Sequence, residues 1–186
     1  MTAKQAFTIF MFAALATCLK CGPPTFKLPR TQNITKFYSR NSKIWTVNTT
    51  ETTNVTCKLD TVTMTTANYT DFNRQVTLHG QTSTTPLRGT FTTIMDMGAQ
   101  NISNAMIVGP EGALATSTER LVNAYGGSVC GIFFVSYMSG PYHYEIRVKN
   151  KALQQPNEKC VKKFQELAMG SKKNITTMYQ QFCKPQ

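Results

Sequence analysis

The sequence has 186 residues, of which 41% are hydrophobic and 16% are charged, and its formal net charge is +11. This length suits one domain with a single core, and the composition excludes a disordered or fibrous chain. The basic residues are scattered rather than clustered, so they favour a solvated, soluble surface and do not predict a nucleic-acid partner.

The beginning of the chain has the features of a secretory signal peptide. Lys4 precedes an acid-free apolar run from Ala6 to Ala16, and small residues stand where a signal peptidase reads the chain. The run is too short for the roughly 20 residues that span a bilayer, so we expect no membrane anchor. We predict a signal peptide at 1–18, with cleavage between about 16 and 21, and one secreted domain at 19–186. The fate of Cys18 and Cys21 stays open.

Four further cysteines follow the predicted signal peptide: Cys57, Cys130, Cys160 and Cys183. An even number of cysteines in a secreted chain predicts two disulfides, for which three connectivities are possible. A zinc site is the competing interpretation, but no pair among them is spaced C-x-x-C, and His79 and His143 are near none of them. We therefore predict no metal site and no cofactor.

The chain also carries six N-x-S/T sequons, which mark acceptor positions for N-linked glycans. They stand at Asn33, Asn48, Asn54, Asn68, Asn101 and Asn174. Their density supports a secreted, extracellular glycoprotein. An enzyme is not expected, because the sequence contains no nucleophile with an evident base, no triad and no paired acids.

Alternating Thr, Val, Ile, Phe and Tyr residues predict eight β-strands. The predicted strands are Lys43 to Asn48, Asn54 to Thr65, Phe72 to His79, Arg88 to Met95, Asn104 to Val108, Thr116 to Ala124, Ser128 to Met138 and Tyr142 to Asn150. The connections are too short for parallel crossovers, so we predict an antiparallel up-and-down barrel, wide enough inside for one small ligand. After the strands, Cys160, Phe164 and Leu167 follow a helical period that Gly170 ends, and this helix should pack on the barrel wall.

Six segments of the sequence, taken in order, resemble one known family. They are Lys43-Ile44-Trp45, Cys57, Ser128 to Val135, Tyr144 to Asn150, Pro156 to Cys160 and Met178 to Cys183. Together they resemble the tick salivary lipocalins, which include the histamine-binding proteins. The resemblance implies an all-β, lipocalin-like barrel with a C-terminal helix, and disulfides joining Cys57 to Cys183 and Cys130 to Cys160.

The resemblance also implies a function. Members of this family bind small host mediators inside the barrel, among them amines such as histamine and eicosanoids such as leukotrienes, and some bind complement proteins. We expect a monomer in tick saliva that sequesters such a mediator and so aids evasion of host immunity. The alternative is an interaction protein whose basic outer surface binds a host protein or a glycosaminoglycan.

Strand alternation selects candidate ligand contacts. If Cys130 faces outward, then Phe133, Val135 and Tyr137 face the interior of the barrel and form an apolar, aromatic wall. Trp45 is a further candidate, with a buried core position as its alternative role.

The eighth strand leaves two orientations open. Hydrophobic patterning would place Tyr144 and Ile146 inside, whereas the amine-binding motif of the family places Glu145 and Arg147 inside. In that motif an aspartate stands at the position of Gly131 and an aromatic residue at that of Arg147. An inward Arg147 would therefore favour the carboxylate of a fatty acid or eicosanoid over histamine. The alternative is that both side chains form a solvated, salt-bridging face.

Overall fold

The computed structural model describes residues 32–94 and 102–183. The predicted signal peptide, Cys18, Cys21 and Asn101 lie outside these residues. No helix in the described part is both long enough and apolar enough to span a membrane.

Eight antiparallel strands form a closed barrel. They are β1 (Lys43–Thr49), β2 (Val55–Thr65), β3 (Tyr69–Leu78), β4 (Gln81–Thr92), β5 (Ala105–Gly109), β6 (Ser117–Tyr125), β7 (Cys130–Tyr137) and β8 (Tyr142–Lys149). Each strand pairs with its neighbour in the chain, and β1 pairs with both β2 and β8, which closes the sheet. The predicted eight-stranded up-and-down barrel is confirmed.

The largest difference from the predicted strands is in β4, which begins at Gln81 rather than at Arg88. His79 and Gly80 both have positive φ angles, of 50° and 78°, and form a two-residue hairpin turn. Such turns match the twist of antiparallel strands, so β3 and β4 pair directly from Leu78 and Gln81 onward. The Thr-rich segment before Arg88 is therefore strand rather than loop.

The two ends of the barrel differ. The β3–β4 and β7–β8 turns lie at what we call the upper end, and the β2–β3 and β6–β7 turns lie at the lower end. A short helix, α1 (Ile34–Phe37), begins at its N-cap residue Asn33 and closes the lower end. This helix was not predicted from the sequence, although its apolar residues Ile34 and Phe37 are fully buried beneath the barrel.

The C-terminal helix, α2 (Glu158–Gly170), packs on the outside of the barrel as expected. Asn157 caps its first turn by accepting a hydrogen bond from the backbone of Cys160. Phe164 is buried in an apolar cluster that includes Ile146 and Val148 of β8, and Leu167 packs at its margin. The apolar face of β8 therefore points away from the barrel interior and is buried by α2.

Two disulfides fix the C-terminal segment to the barrel. Cys130 on β7 is joined to Cys160 on α2, and Cys57 on β2 is joined to Cys183. This is the pairing that the resemblance implies. Between Cys160 and Cys183 in the chain, a two-residue strand, β9 (Thr176–Thr177), pairs with the end of β1.

Candidate functional site

The barrel interior contains a network of charged residues, all of which are buried except Arg74, whose side chain is 14% exposed. It comprises three acids and three bases: Asp60, Glu119, Glu145, Lys58, Arg74 and Arg147. Alternation along the strands places them there, because Lys58 and Asp60 lie two apart on β2 and Glu145 and Arg147 lie two apart on β8.

Arg147 is the centre of this network and is fully buried. Its guanidinium nitrogens lie 2.5 Å from carboxylate oxygens of both Glu119 and Glu145, and Nη1 also donates to the hydroxyl of Tyr38 at 2.6 Å. Arg74 bridges Glu119 and Asp60, with nitrogen–oxygen distances of 2.8 Å to each. Two arginines on different strands therefore share Glu119.

Burial and ion pairing act in opposite directions on these acids. Burial alone would raise the pKa of Glu119, but Arg147 and Arg74 outweigh it and hold the pKa well below its ordinary value. In the same way, Arg147 and Lys58 overcome the burial of Glu145 and lower its pKa. Glu119 and Glu145 are therefore ionised at neutral pH, within a network that contains equal numbers of acidic and basic side chains.

This ionisation predicts a loss of stability in acid. The pKa values of Glu119 and Glu145 are lower in the folded than in the unfolded chain, so their contribution is present above about pH 4.5 and is lost as the pH falls below it. Urea unfolding at pH 7, 4 and 3 should show a steep decrease in the free energy of unfolding. Glu119→Gln should reduce that slope, and a flat profile in the wild type would contradict the prediction.

Above the network, three side chains at the upper end form the candidate site. His143 Nε2 lies 3.2 Å from a carboxylate oxygen of Glu145 and 3.6 Å from one of Glu51. The hydroxyl of Tyr137 donates to Glu51 at 3.4 Å, and its ring lies 5.3 Å from that of His143. The arrangement presents a carboxylate, an imidazole and a phenol around one point.

This cluster opens into a cavity of about 450 Å³ at the upper end. Its wall includes Thr50, Glu51, Tyr137, Tyr142, His143, Lys172 and Lys173. The side chain of Glu51 is 32% exposed, whereas that of His143 is 3% exposed. A small molecule in this cavity would reach Glu51 first, with the buried His143 beneath it.

Below the network the barrel is filled by aromatic side chains. The α1 helix inserts Phe37 against Gly131, where an added Cβ atom would lie only 2.6 Å from the Phe37 ring. Phe133 and Tyr38 pack edge to face, and the ring of Phe72 lies 5.5 Å from that of Tyr38. The position at which the family motif has an aspartate is thus a glycine that leaves room for Phe37.

The structure distributes five of the six sequence-derived ligand candidates over three places. Glu145 and Arg147 lie in the buried network, Phe133 and Val135 belong to the apolar cluster inside the barrel, with Val135 paired with His143, and Tyr137 lies at the upper end. Trp45 belongs to none of these. It packs in the outer cluster against Tyr179, and its indole nitrogen donates to Asn150, so its place as an interior contact is corrected. An inward Ile44 precedes it, and alternation turns Trp45 outward.

Sequence reasoning missed most partners in the network, namely Asp60, Glu119, Lys58 and Arg74. Isolated charges on Thr-rich strands look like solvated positions. A usable signal was the i, i+2 spacing of opposite charges in Lys58 and Asp60, which places both on one face of β2.

The predicted glycosylation positions are spread over the surface. Asn54, Asn68 and Asn174 are exposed, and Asn33 and Asn48 are partly exposed. Asn174 also lines the upper cavity. The attachment of a glycan at each of these five positions remains a prediction.

Comparison with known proteins decides the family. The family model for the tick histamine binding protein matches residues 26–185. The chain belongs to the tick histamine-binding protein family. Members of this family are small-ligand-binding proteins with a lipocalin barrel. A comparison with curated proteins found no match.

Three solved structures share the fold. A serotonin complex of AM182 is 18% identical, with a TM-score of 0.63, over 86% of this chain and 97% of that one. The siderocalin Ex-FABP is 10% identical, with a TM-score of 0.56 over 76% and 94%. A deswapped triple mutant of bovine odorant binding protein is 13% identical, with a TM-score of 0.50 over 79% and 96%. These likenesses show that this member of the histamine-binding protein family has the lipocalin fold.

Proposed function

We propose that this protein is secreted in tick saliva and sequesters a small cationic amine, of the histamine or serotonin class, at the upper end of its barrel. The observation that carries this proposal is the carboxylate of Glu51. Within the described residues it forms no ion pair with Lys or Arg, although it lies in a cavity beside an aromatic ring. An ammonium group gains from a partly desolvated carboxylate and from an aromatic face.

The charges of the buried network also favour an amine over an anionic lipid. Arg147 faces inward, but Glu119 and Glu145 already neutralise it, and Tyr38 takes a further N–H. It therefore presents no spare positive charge to a ligand carboxylate. The preference for a fatty acid or eicosanoid that Arg147 and Gly131 suggested loses its physical basis. A solved relative in complex with serotonin supports the same ligand class.

An eicosanoid is the second candidate, and one observation favours it. Lys172 and Lys173 lie on the wall of the same cavity, where a carboxylate could pair with either ammonium group. Lys173 is already in contact with Tyr142, since its Nζ donates to the Tyr142 carbonyl and lies 4.0 Å from the ring centre. This leaves Lys172 as the less engaged of the two cations.

Calorimetric titration of histamine and serotonin into the wild type and Glu51→Gln tests the proposal. We expect the variant to bind at least about tenfold more weakly, because a charge-assisted hydrogen bond contributes roughly 1.5–3 kcal/mol and 1.4 kcal/mol is tenfold. Glu111→Gln, at an exposed acid of the same end of the barrel, is the matched control and should bind like the wild type.

A leukotriene titration separates the two ligand classes. If the leukotriene binds and both amines do not, and Lys172→Gln abolishes that binding, the amine assignment is wrong and the eicosanoid candidate stands. If an amine binds equally well to the wild type and Glu51→Gln, the upper cluster is not its site.

A further inference from the structure

A second pocket lies at the lower end of the barrel, away from the proposed amine site. This cavity of about 370 Å³ is bordered by three lysines, Lys43, Lys149 and Lys151, and by the polar residues Ser39, Ser42 and Asn150. No acidic residue lies among the described residues that line it. The described ion pairs also include none of the three lysines. Three positive charges therefore converge on one concave site without a carboxylate to balance them.

Lys149 is the most constrained of these cations. Its Nζ donates to the hydroxyl of Ser39 at 2.9 Å and to the backbone carbonyl of Lys36 at 3.3 Å. It lies 5.6 Å from the centre of the Phe37 ring. Burial, with repulsion from Lys151, lowers its pKa to about 8. An ammonium group has three donors, so one N–H of a positioned, partly desolvated cation is left for a ligand.

The neutral groups around the pocket are also held in place. The hydroxyls of Ser39 and Ser42 lie 2.9 Å apart, and the backbone of the intervening Asn41 has a φ of 62° and donates to the Val62 carbonyl. The amide oxygen of Asn150 accepts from the indole of Trp45, which leaves its NH₂ group as the donor for the pocket. Ammonium, hydroxyl and amide donors together are the set that recognises a tetrahedral oxyanion.

We propose that this lower pocket binds a sulfate group of a sulfated glycosaminoglycan. Lys36 and Arg40 are exposed on the chain segment that borders the pocket, so a polyanionic chain seated there would meet further cations on either side. A single free anion would contact only the residues of the pocket and would not reach Lys36 and Arg40. The glycosaminoglycan source rests on the proposed secretion, which would bring the protein into contact with extracellular polysaccharide.

The test is calorimetric titration of a heparin dodecasaccharide into the full mature protein at physiological salt. We expect the double variant Lys43→Gln/Lys151→Gln to bind about tenfold or more weakly than the wild type, because it removes two charge-assisted contacts. Lys159→Gln/Lys162→Gln removes two exposed lysines from α2 and is the matched control for net charge. It should lose less than about threefold, as for exposed charges. Equal losses in both variants, or no binding by the wild type, would overturn the proposal.

Two further measurements identify the source of the anion and distinguish the lower pocket from the proposed amine site. Phosphatidylserine vesicles test the alternative source of the anion. If they bind more tightly than heparin, and only when Lys43 and Lys151 are present, the partner is a membrane and the glycosaminoglycan assignment is wrong. Amine titration of Lys43→Gln/Lys151→Gln should match the wild type, and Glu51→Gln should bind heparin normally. Failure of the heparin arm alone would therefore leave the amine proposal untouched.

Discussion

Replacing Arg147 by Met is expected to lower the free energy of unfolding by about 3–5 kcal/mol, the usual cost of removing one partner from a buried ion pair. The substitution keeps much of the side-chain volume but leaves Glu119 and Glu145 buried without their central cation. Urea denaturation at pH 7, with the disulfides intact, measures the change. A loss under about 1 kcal/mol would mean that Arg74 and Lys58 suffice to hold the acids, since that is the range of a surface pair.

Two variants show whether charge or packing causes the loss. Arg88 also contacts two acids, Asp71 and Glu111, but it lies on the outer surface with its side chain 27% exposed. Arg88→Met should shift the denaturation midpoint only slightly. Adding Glu119→Gln to Arg147→Met should restore part of the lost stability, because Asp60 and Glu145 then remain opposite Arg74 and Lys58 and no carboxylate lacks a cation. No recovery in the double variant would assign the loss to packing.

Replacing Phe164 by Ala should cost about 3–5 kcal/mol, as for other fully buried Phe side chains. Phe164 is 2% exposed and packs between α2 and the outer face of the barrel. The matched control is Phe182→Ala, since Phe182 is 72% exposed and should contribute less than about 0.5 kcal/mol. A small loss at Phe164, measured by urea denaturation, would show that the helix is held by the Cys130–Cys160 disulfide alone.

The barrel could be predicted because local signals agree along the chain. Gly, Pro and Asn residues separate the strands, and the turns at Gly80 and Gly126 have positive φ angles. The helix α2 was visible from the period of Cys160, Phe164 and Leu167. In contrast, α1 is four residues long and shows no period, so it is stabilised as a helix by its docking beneath the barrel and by its Asn33 cap.

The orientation of β8 shows why the site was harder to predict than the fold. Tyr144, Ile146 and Val148 form an apolar face, and hydrophobic patterning assigns such a face to the barrel interior. The helix α2 and the C-terminal segment bury this face from outside, so both faces of the strand are buried. A charged interior is possible only because other strands supply Asp60, Glu119 and Lys58. The residue pattern along β8 carries no information about these partners.

The two disulfides have a consequence for the lifetime of the molecule. The inner bond, Cys130–Cys160, is nested within the outer one, Cys57–Cys183, whose cysteines are 126 residues apart. A single peptide-bond cleavage at any point between Cys57 and Cys183 therefore leaves both fragments covalently joined. Barrel hydrogen bonds would keep the two fragments in place, so a single proteolytic cut would not separate them.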